Sequence, residues 1–215
     1  MKKTEKASLA PIDPANQQTI DPYHERILNA ARELFKASGL ENVSMYSIAK
    51  QAGIGQGSLY RRFTDKGEIC SALLRDSTGR FLTELEREAQ SSNADDPALQ
   101  RLQNSIEQVV DFIDQHAELL HLIKSEFVGK KQLTQFEHPF FRRVNVIFTE
   151  LLSQAAENGE IVDIDPHFTV TALLSVLSPD LYLYQQKAHQ STKEDITQGI
   201  LRLFIDGLAR KKSDI

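Results

Sequence analysis

Residues 44–66 read SMYSIAKQAGIGQGSLYRRFTDK, and no other stretch restricts the fold as much. Ser44 suits a helix N-cap, because its hydroxyl can accept from a backbone N–H two or three residues on; Ile48, Ala49 and Ala52 then share one apolar stripe. Gly53 ends that helix by taking a left-handed conformation without a Cβ clash, so the chain turns sharply and Ile54 fills the angle. A second helix starts near Gln56, with Leu59 and Phe63 four apart and facing inward. Ser58, Arg61 and Arg62 must then face outward. Two short helices around a tight turn, the second with polar and basic side chains outside, form a helix-turn-helix whose second helix can enter a DNA major groove. For the turn taken alone, the alternative is an ordinary helical hairpin with solvated arginines.

The rest of the chain repeats a helical signature. Residues 1–20 are polar, hold prolines at 11 and 14 and show no period, so they read as a mobile tail in which Glu5 and Asp13 dilute the charge of Lys2, Lys3 and Lys6. Asp21-Pro22 opens a helix to about residue 38, stopped by Gly39, with Ile27, Ala31, Leu34 and Phe35 as its apolar face. Neither helix of the turn is stable alone, so this face completes a three-helix core. After Lys66, residues Leu73, Leu74, Ser77, Phe81, Leu85 and Ala89 hold one face as far as residue 91, and charged residues take the others. This connector helix carries the reading helix with it when it moves. Asp96-Pro97 then opens helices over 97–115 and 117–128, His138-Pro139 one to about 157, Asp165-Pro166 one to about 187 in which Pro179 makes a kink, and Thr192 the last, to Lys212. The expected fold is all-α with about nine helices: a tail over 1–20, a helix-turn-helix domain over 21–70, and a larger ligand-binding and dimerisation bundle over 71–215, whose first helix (71–91) is the connector.

Composition narrows the function classes. With 26% charged residues and no apolar run near the roughly 18 residues of a membrane span, the chain reads as globular, without a membrane partner. Its N-terminus lacks the apolar stretch of a signal peptide, so a cytoplasmic location is expected. The single Cys70 cannot form an intramolecular disulfide and reads as a small buried hydrophobe. The net charge of −5 divides unevenly: residues 1–70 hold 10 Lys+Arg against 8 Asp+Glu, leaving 15 against 22 for the rest. Acid is thus concentrated away from the helix-turn-helix, which suppresses indiscriminate binding to nucleic acid and leaves the cations at the groove free to act.

The run A-G-I-G-Q-G-S-L-Y-R-R-F-T-D-K, with Ser44, Ile48 and Ala49 upstream, resembles the DNA-binding segment of the tetracycline-repressor (TetR/AcrR-type) family, through Ala52, Gly53, Gly57, Leu59, Tyr60, Phe63 and Lys66. The motifs lie within about residues 27–70; beyond them the likeness is in the order of helices. The resemblance implies a sequence-specific, homodimeric transcriptional regulator, most simply a repressor released from a near-palindromic operator on double-stranded DNA by a small-molecule effector. It places Gln56, Ser58 and Arg61 at base edges, with Tyr60, Arg62 and Lys66 at phosphates; Ser44, Tyr46 and Gly57 complete the expected DNA face. Two departures stand out: Gly55 replaces the usual Ser or Thr cap, and Arg62 the usual Tyr or His.

In the bundle, Phe112, His116, Phe127, Phe148 and Tyr182 are the candidate ligand contacts, His116 offering a polar handle among apolar neighbours. Ile196, Ile200, Leu203, Phe204 and Leu208 form one face of the last helix and are the candidate dimer surface. Asp163, Asp165 and His167 alternate as metal ligands do, but Asp165-Pro166 already starts a helix, so no metal is expected. No Ser/His/Asp order, phosphate loop or Cys pair is visible, and neither an enzyme nor a cofactor is expected. The rival from another class is a helical ligand-binding or scaffold protein whose helix-turn-helix no longer reads DNA.

Overall fold

A computed structural model describes residues 21–90, 96–131 and 138–210. The order is α1 (Pro22–Ser38), α2 (Met45–Gln51), α3 (Gln56–Tyr60), α4 (Lys66–Ala89), α5 (Ala98–Lys131), α6 (Pro139–Glu157), α7 (Pro166–Val176), α8 (Pro179–His189) and α9 (Lys193–Leu201), the last running into a π-helical turn over Arg202–Asp206. The all-α expectation holds: among the described residues the one extended pairing is an isolated antiparallel bridge between Ile161 and Ala209.

Local chemistry sets most helix starts. Asp21, Asp65, Asp165, Ser178 and Thr192 each accept a backbone N–H of the helix they precede, and proline stands at the head of α1, α6, α7 and α8. The start of α5 is capped from a distance, by Glu160, whose carboxylate accepts from Ala98 N at 3.0 Å and Leu99 N at 2.7 Å.

Four boundaries differ from expectation. The second helix of the turn, expected to carry Arg61, Arg62 and Phe63, ends at Tyr60. The two helices expected over 97–115 and 117–128 are one, because no Gly or Pro interrupts the chain near His116 and Ala117 is buried against the core. The single helix expected over 166–187 is two: Leu181 N donates to Ser178 Oγ at 3.2 Å, so Ser178-Pro179 starts α8 instead of kinking α7. The last helix stops short of residue 212. After the π turn, a Cβ on Gly207 would stand 2.6 Å from Leu203 O, so the wide turn requires glycine there, and Val162 N then donates to Leu208 O at 2.9 Å.

Two apolar clusters result. The smaller joins α1, α2, α3 and the head of α4 through Ile27, Ala31, Ile48, Leu59, Phe63 and Ile69. The larger fills the bundle, with Leu85, Leu102, Ile106, Phe148, Leu151 and Leu173 at its centre. A third, small cluster links them: Leu40, Cys70 and Leu74 pack against Ile123 of α5, with Phe35, Leu119 and Leu120 around them. The far end of α4 is pinned by Arg101, which donates to Ala89 O at 2.6 Å and to Gln154 Oε1 at 2.7 Å.

Candidate nucleic-acid interface

The helix-turn-helix is built on side chains that cannot turn away from the core. Ser44 and Ser47 form a reciprocal cap, Ser47 N donating to Ser44 Oγ at 3.1 Å and Ser44 N to Ser47 Oγ at 3.0 Å. Ile48, Ala49 and Ala52 are buried. Gly53 takes φ +63°, as the sharp turn requires, and Arg26 of α1 donates to Ala52 O at 2.6 Å. A cation thus closes the carbonyl end of α2. Leu59 is fully buried and Phe63 nearly so, its ring 4.9 Å from that of His24. Leu59 within α3 and Phe63 just beyond its end fix the rotation of the segment.

That rotation leaves one polar face in solvent. Gln56, Gly57 and Arg61 are exposed, Ser58 is half-buried, and Tyr46 and Tyr60 stand out at 61% and 52% exposure, high for aromatic side chains. Arg61 Nη2 donates to Ser58 Oγ at 3.0 Å, which holds the guanidinium over the same face. Gly55 makes no side-chain cap, so the head of α3 is open as well.

Two expected phosphate cations have other partners. Arg62 Nε donates to Asp21 Oδ2 at 2.5 Å, its Nη1 to Ser58 O at 3.0 Å, and its guanidinium lies over the Tyr23 ring at 4.9 Å. The Arg62 hydrogen bond holds the Asp21 carboxyl below its ordinary value, helped by the Tyr23 N–H against a partial desolvation cost. Lys66 Nζ donates to Leu40 O at 2.8 Å and Val43 O at 3.0 Å, closing the loop between α1 and α2.

The bundle candidates scatter. Phe148 is fully enclosed in the core. Phe112 is buried in a stack with Phe81 (4.4 Å) and Phe140 (5.5 Å), and half-buried His116 meets its edge at 4.8 Å, with burial lowering the imidazole pKa. Tyr182 OH donates to Asp114 Oδ1 at 2.5 Å; burial and that carboxylate push its phenol well above the usual range. Phe127 lies outside the described side chains. Of the four described, Tyr182 lines a groove of about 290 Å³ between α8 and α9. A smaller cavity, between α5, α6 and α8, is walled by Ile113, Leu120, Ile123, Lys124, His138, Phe140, Phe141 and Pro179, and none of the four described ligand candidates is among these. Of the dimer candidates, Leu203 is 66% exposed, Ile196, Phe204 and Leu208 are half-buried, and Ile200 is buried in the chain's own core. Asp165 caps α7 through His167 N at 2.9 Å and Phe168 N at 3.2 Å.

Residues 27–73 match the N-terminal domain of the bacterial regulatory proteins of the tetR family. The helix-turn-helix of this chain is thus of the tetR-family type. An HTH-type transcriptional regulator of Staphylococcus aureus is 26% identical over 186 residues, covering 86% of this chain and 94% of the relative. Among solved structures, the ketosteroid transcriptional regulator KstR2 of Mycobacterium tuberculosis is 22% identical with a TM-score of 0.59, over 89% of this chain and 97% of that one. FadR of Thermus thermophilus, a TetR-family transcriptional repressor solved with lauroyl-CoA, is 18% identical with a TM-score of 0.62, over 89% and 98%. At these identities the solved structures establish the fold.

In this tetR-type helix-turn-helix the side chains missed by sequence reasoning are the supports of α3. Asp21 carried a signal as a helix cap, and the chain also uses it to hold Arg62. Tyr23 and Arg26 lay on the solvent side of the α1 period, where nothing separates a solvated residue from one clasping a neighbour.

Proposed function

We propose that this transcriptional regulator is a homodimeric repressor, that the exposed face of α3 reads a near-palindromic operator, and that a small molecule bound in the helical bundle releases it. The observation that carries the reading is the one-sided presentation of Gln56, Ser58, Tyr60 and Arg61 by a helix locked from behind by Leu59 and Phe63. Arg61 suits a bidentate contact to guanine and Gln56 one to adenine, while the hydroxyls of Ser44, Tyr46 and Tyr60 suit phosphate oxygens. One such helix binds too weakly for specificity; two, about 34 Å apart, fit successive major grooves.

The ligand half of the proposal is supported by the Thermus repressor's complex with lauroyl-CoA and by openings within this chain's own bundle. A ligand acts only through its different affinity for the two dimer geometries. Fluorescence anisotropy of the purified protein on fragments of its own upstream DNA and on random DNA, with salt titration and stoichiometry, tests the DNA half. Preference for one near-palindromic fragment at two or four chains per site, falling steeply with salt, is expected. Equal affinity for all fragments would defeat the proposal.

A further inference from the structure

The cavity between α5, α6 and α8 holds about 30 Å³, roughly the share of one water molecule in the liquid, so any larger guest must move its walls. Those walls are unusual in what lies behind them. Ile123 and Leu120 also belong to the small cluster that joins the bundle to Leu40, Cys70 and Leu74 at the base of the helix-turn-helix. Phe140 leads the other way, stacked 6.1 Å from Phe81 of α4. Filling this cavity therefore displaces the contacts that position the reading helix.

The polar groups select the guest. Lys124 is 21% exposed, stands in the cavity wall and pairs with Asp180 of α8, which also accepts from His121 Nδ1 at 2.5 Å. Asp180 thus latches α8 to α5. Among the described wall residues the other polar one is His138, whose Nδ1 accepts from Phe140 N at 3.3 Å, so the neutral ring carries its proton on Nε2. Among the described wall residues Lys124 is the one cation, set against aliphatic and aromatic side chains, and this favours a guest with an anionic head and an apolar body. A ligand carboxylate can take Asp180's place at Lys124, leaving Asp180 with His121.

We propose that this cavity is the effector site of the regulator, that it receives a monocarboxylate with an apolar body headed by Lys124, and that entry separates Ile123 from the Leu40–Cys70–Leu74 cluster. The inference rests on the ligand-released repressor reading above. Its test is separable from that reading, because it needs no DNA. Cys70 is the chain's one cysteine and is fully buried in the linking cluster, so its rate of reaction with a thiol reagent reports opening there.

Calorimetry and Cys70 labelling of the full chain are run with hexanoate, decanoate and 4-phenylbutyrate, and with decylammonium and decanol as controls, all below micellar concentration. At least one carboxylate should bind saturably and accelerate labelling about tenfold, with neither control doing so. Lys124→Met should weaken it about tenfold, the scale of one charge-assisted hydrogen bond, and Asp180→Asn, which removes the competitor, should tighten it. The opposite directions separate a binding role from simple loss of fold. No binding by all three carboxylates, binding that both variants leave unchanged, or binding without faster labelling overturns the proposal. Operator binding that persists in any of these cases leaves the regulator standing; carboxylate binding by a protein with no DNA preference removes the regulator and keeps the site.

Discussion

Arg62 of the reading segment and Asp21, the cap of α1, are joined across 41 residues of sequence by a 2.5 Å ion pair, with the Tyr23 ring beneath the guanidinium. The first helix therefore begins, and the reading helix ends, at one clamp. Arg62 Nε and Nη1 are thus engaged within the protein, an arrangement that suits a positioning role.

Arg62→Ala and Asp21→Ala should weaken operator binding to a similar extent, and the double variant should add little to either. The salt slope of binding should stay the same, whereas loss of a phosphate contact would lower it by about one. A lowered slope for Arg62→Ala alone would return the residue to the phosphates.

The same clamp has an acid limit. The Asp21 carboxyl is held below its ordinary value of 3.8, chiefly by Arg62. A depressed pKa contributes stability above the unfolded-state value and loses it as pH falls through the folded one, so the clamp is complete at neutral pH and opens only below about pH 4. Thermal unfolding from about pH 3 to 7 should show a shallower acid limb in Asp21→Asn than in the parent. Identical limbs would mean the pair contributes nothing measurable.

Arg61 and Lys66 should separate base reading from support. Arg61→Ala should cost about 1–3 kcal/mol on the operator and relax preference at one base pair, with random DNA little affected. Lys66→Ala should weaken all sequences alike and also lower the melting temperature, because its ammonium holds Leu40 O and Val43 O. Equal losses on operator and random DNA for Arg61→Ala would refute its reading role.

What the sequence made visible follows from the range of each signal. Caps, prolines and the Leu59–Phe63 spacing act within a few residues, so the all-α class and the helix-turn-helix were readable. Ser178-Pro179 was ambiguous because proline after a serine serves a kink and a helix start equally well; the difference lies in the Leu181 hydrogen bond. The long-range partners of Arg62 and Lys66 lie 23 to 41 residues away, and a cation at the surface leaves no periodic trace of which carbonyl or carboxylate it holds. The α5–α6–α8 cavity was hidden for the same reason, since Lys124 and Asp180 stand 56 positions apart.

Gly53→Ala should destabilise the chain by about 1–2 kcal/mol, the cost of a side chain in left-handed backbone. It should also loosen the reader, since the new Cβ would stand 2.9 Å from Arg26 Nη2 and push it from Ala52 O. Urea unfolding and DNA affinity measured together check both effects. An unchanged midpoint would show that the turn relaxes freely.

The dimer surface is tested by two leucine-like residues of α9 and its π turn with opposite exposure. Leu203 is 66% exposed beside the α8–α9 groove, while Ile200, three residues earlier, is 7% exposed and packed into the bundle. An apolar side chain that the monomer leaves in water gains from a second copy; one already buried does not. Leu203→Asp should therefore give a folded monomer by light scattering, with operator affinity reduced and the melting temperature of the isolated chain little changed. Ile200→Asp should instead destabilise the fold strongly, since it would set a carboxylate into the apolar cluster of the bundle. A Leu203→Asp protein that remains a dimer would move the subunit contact to another face.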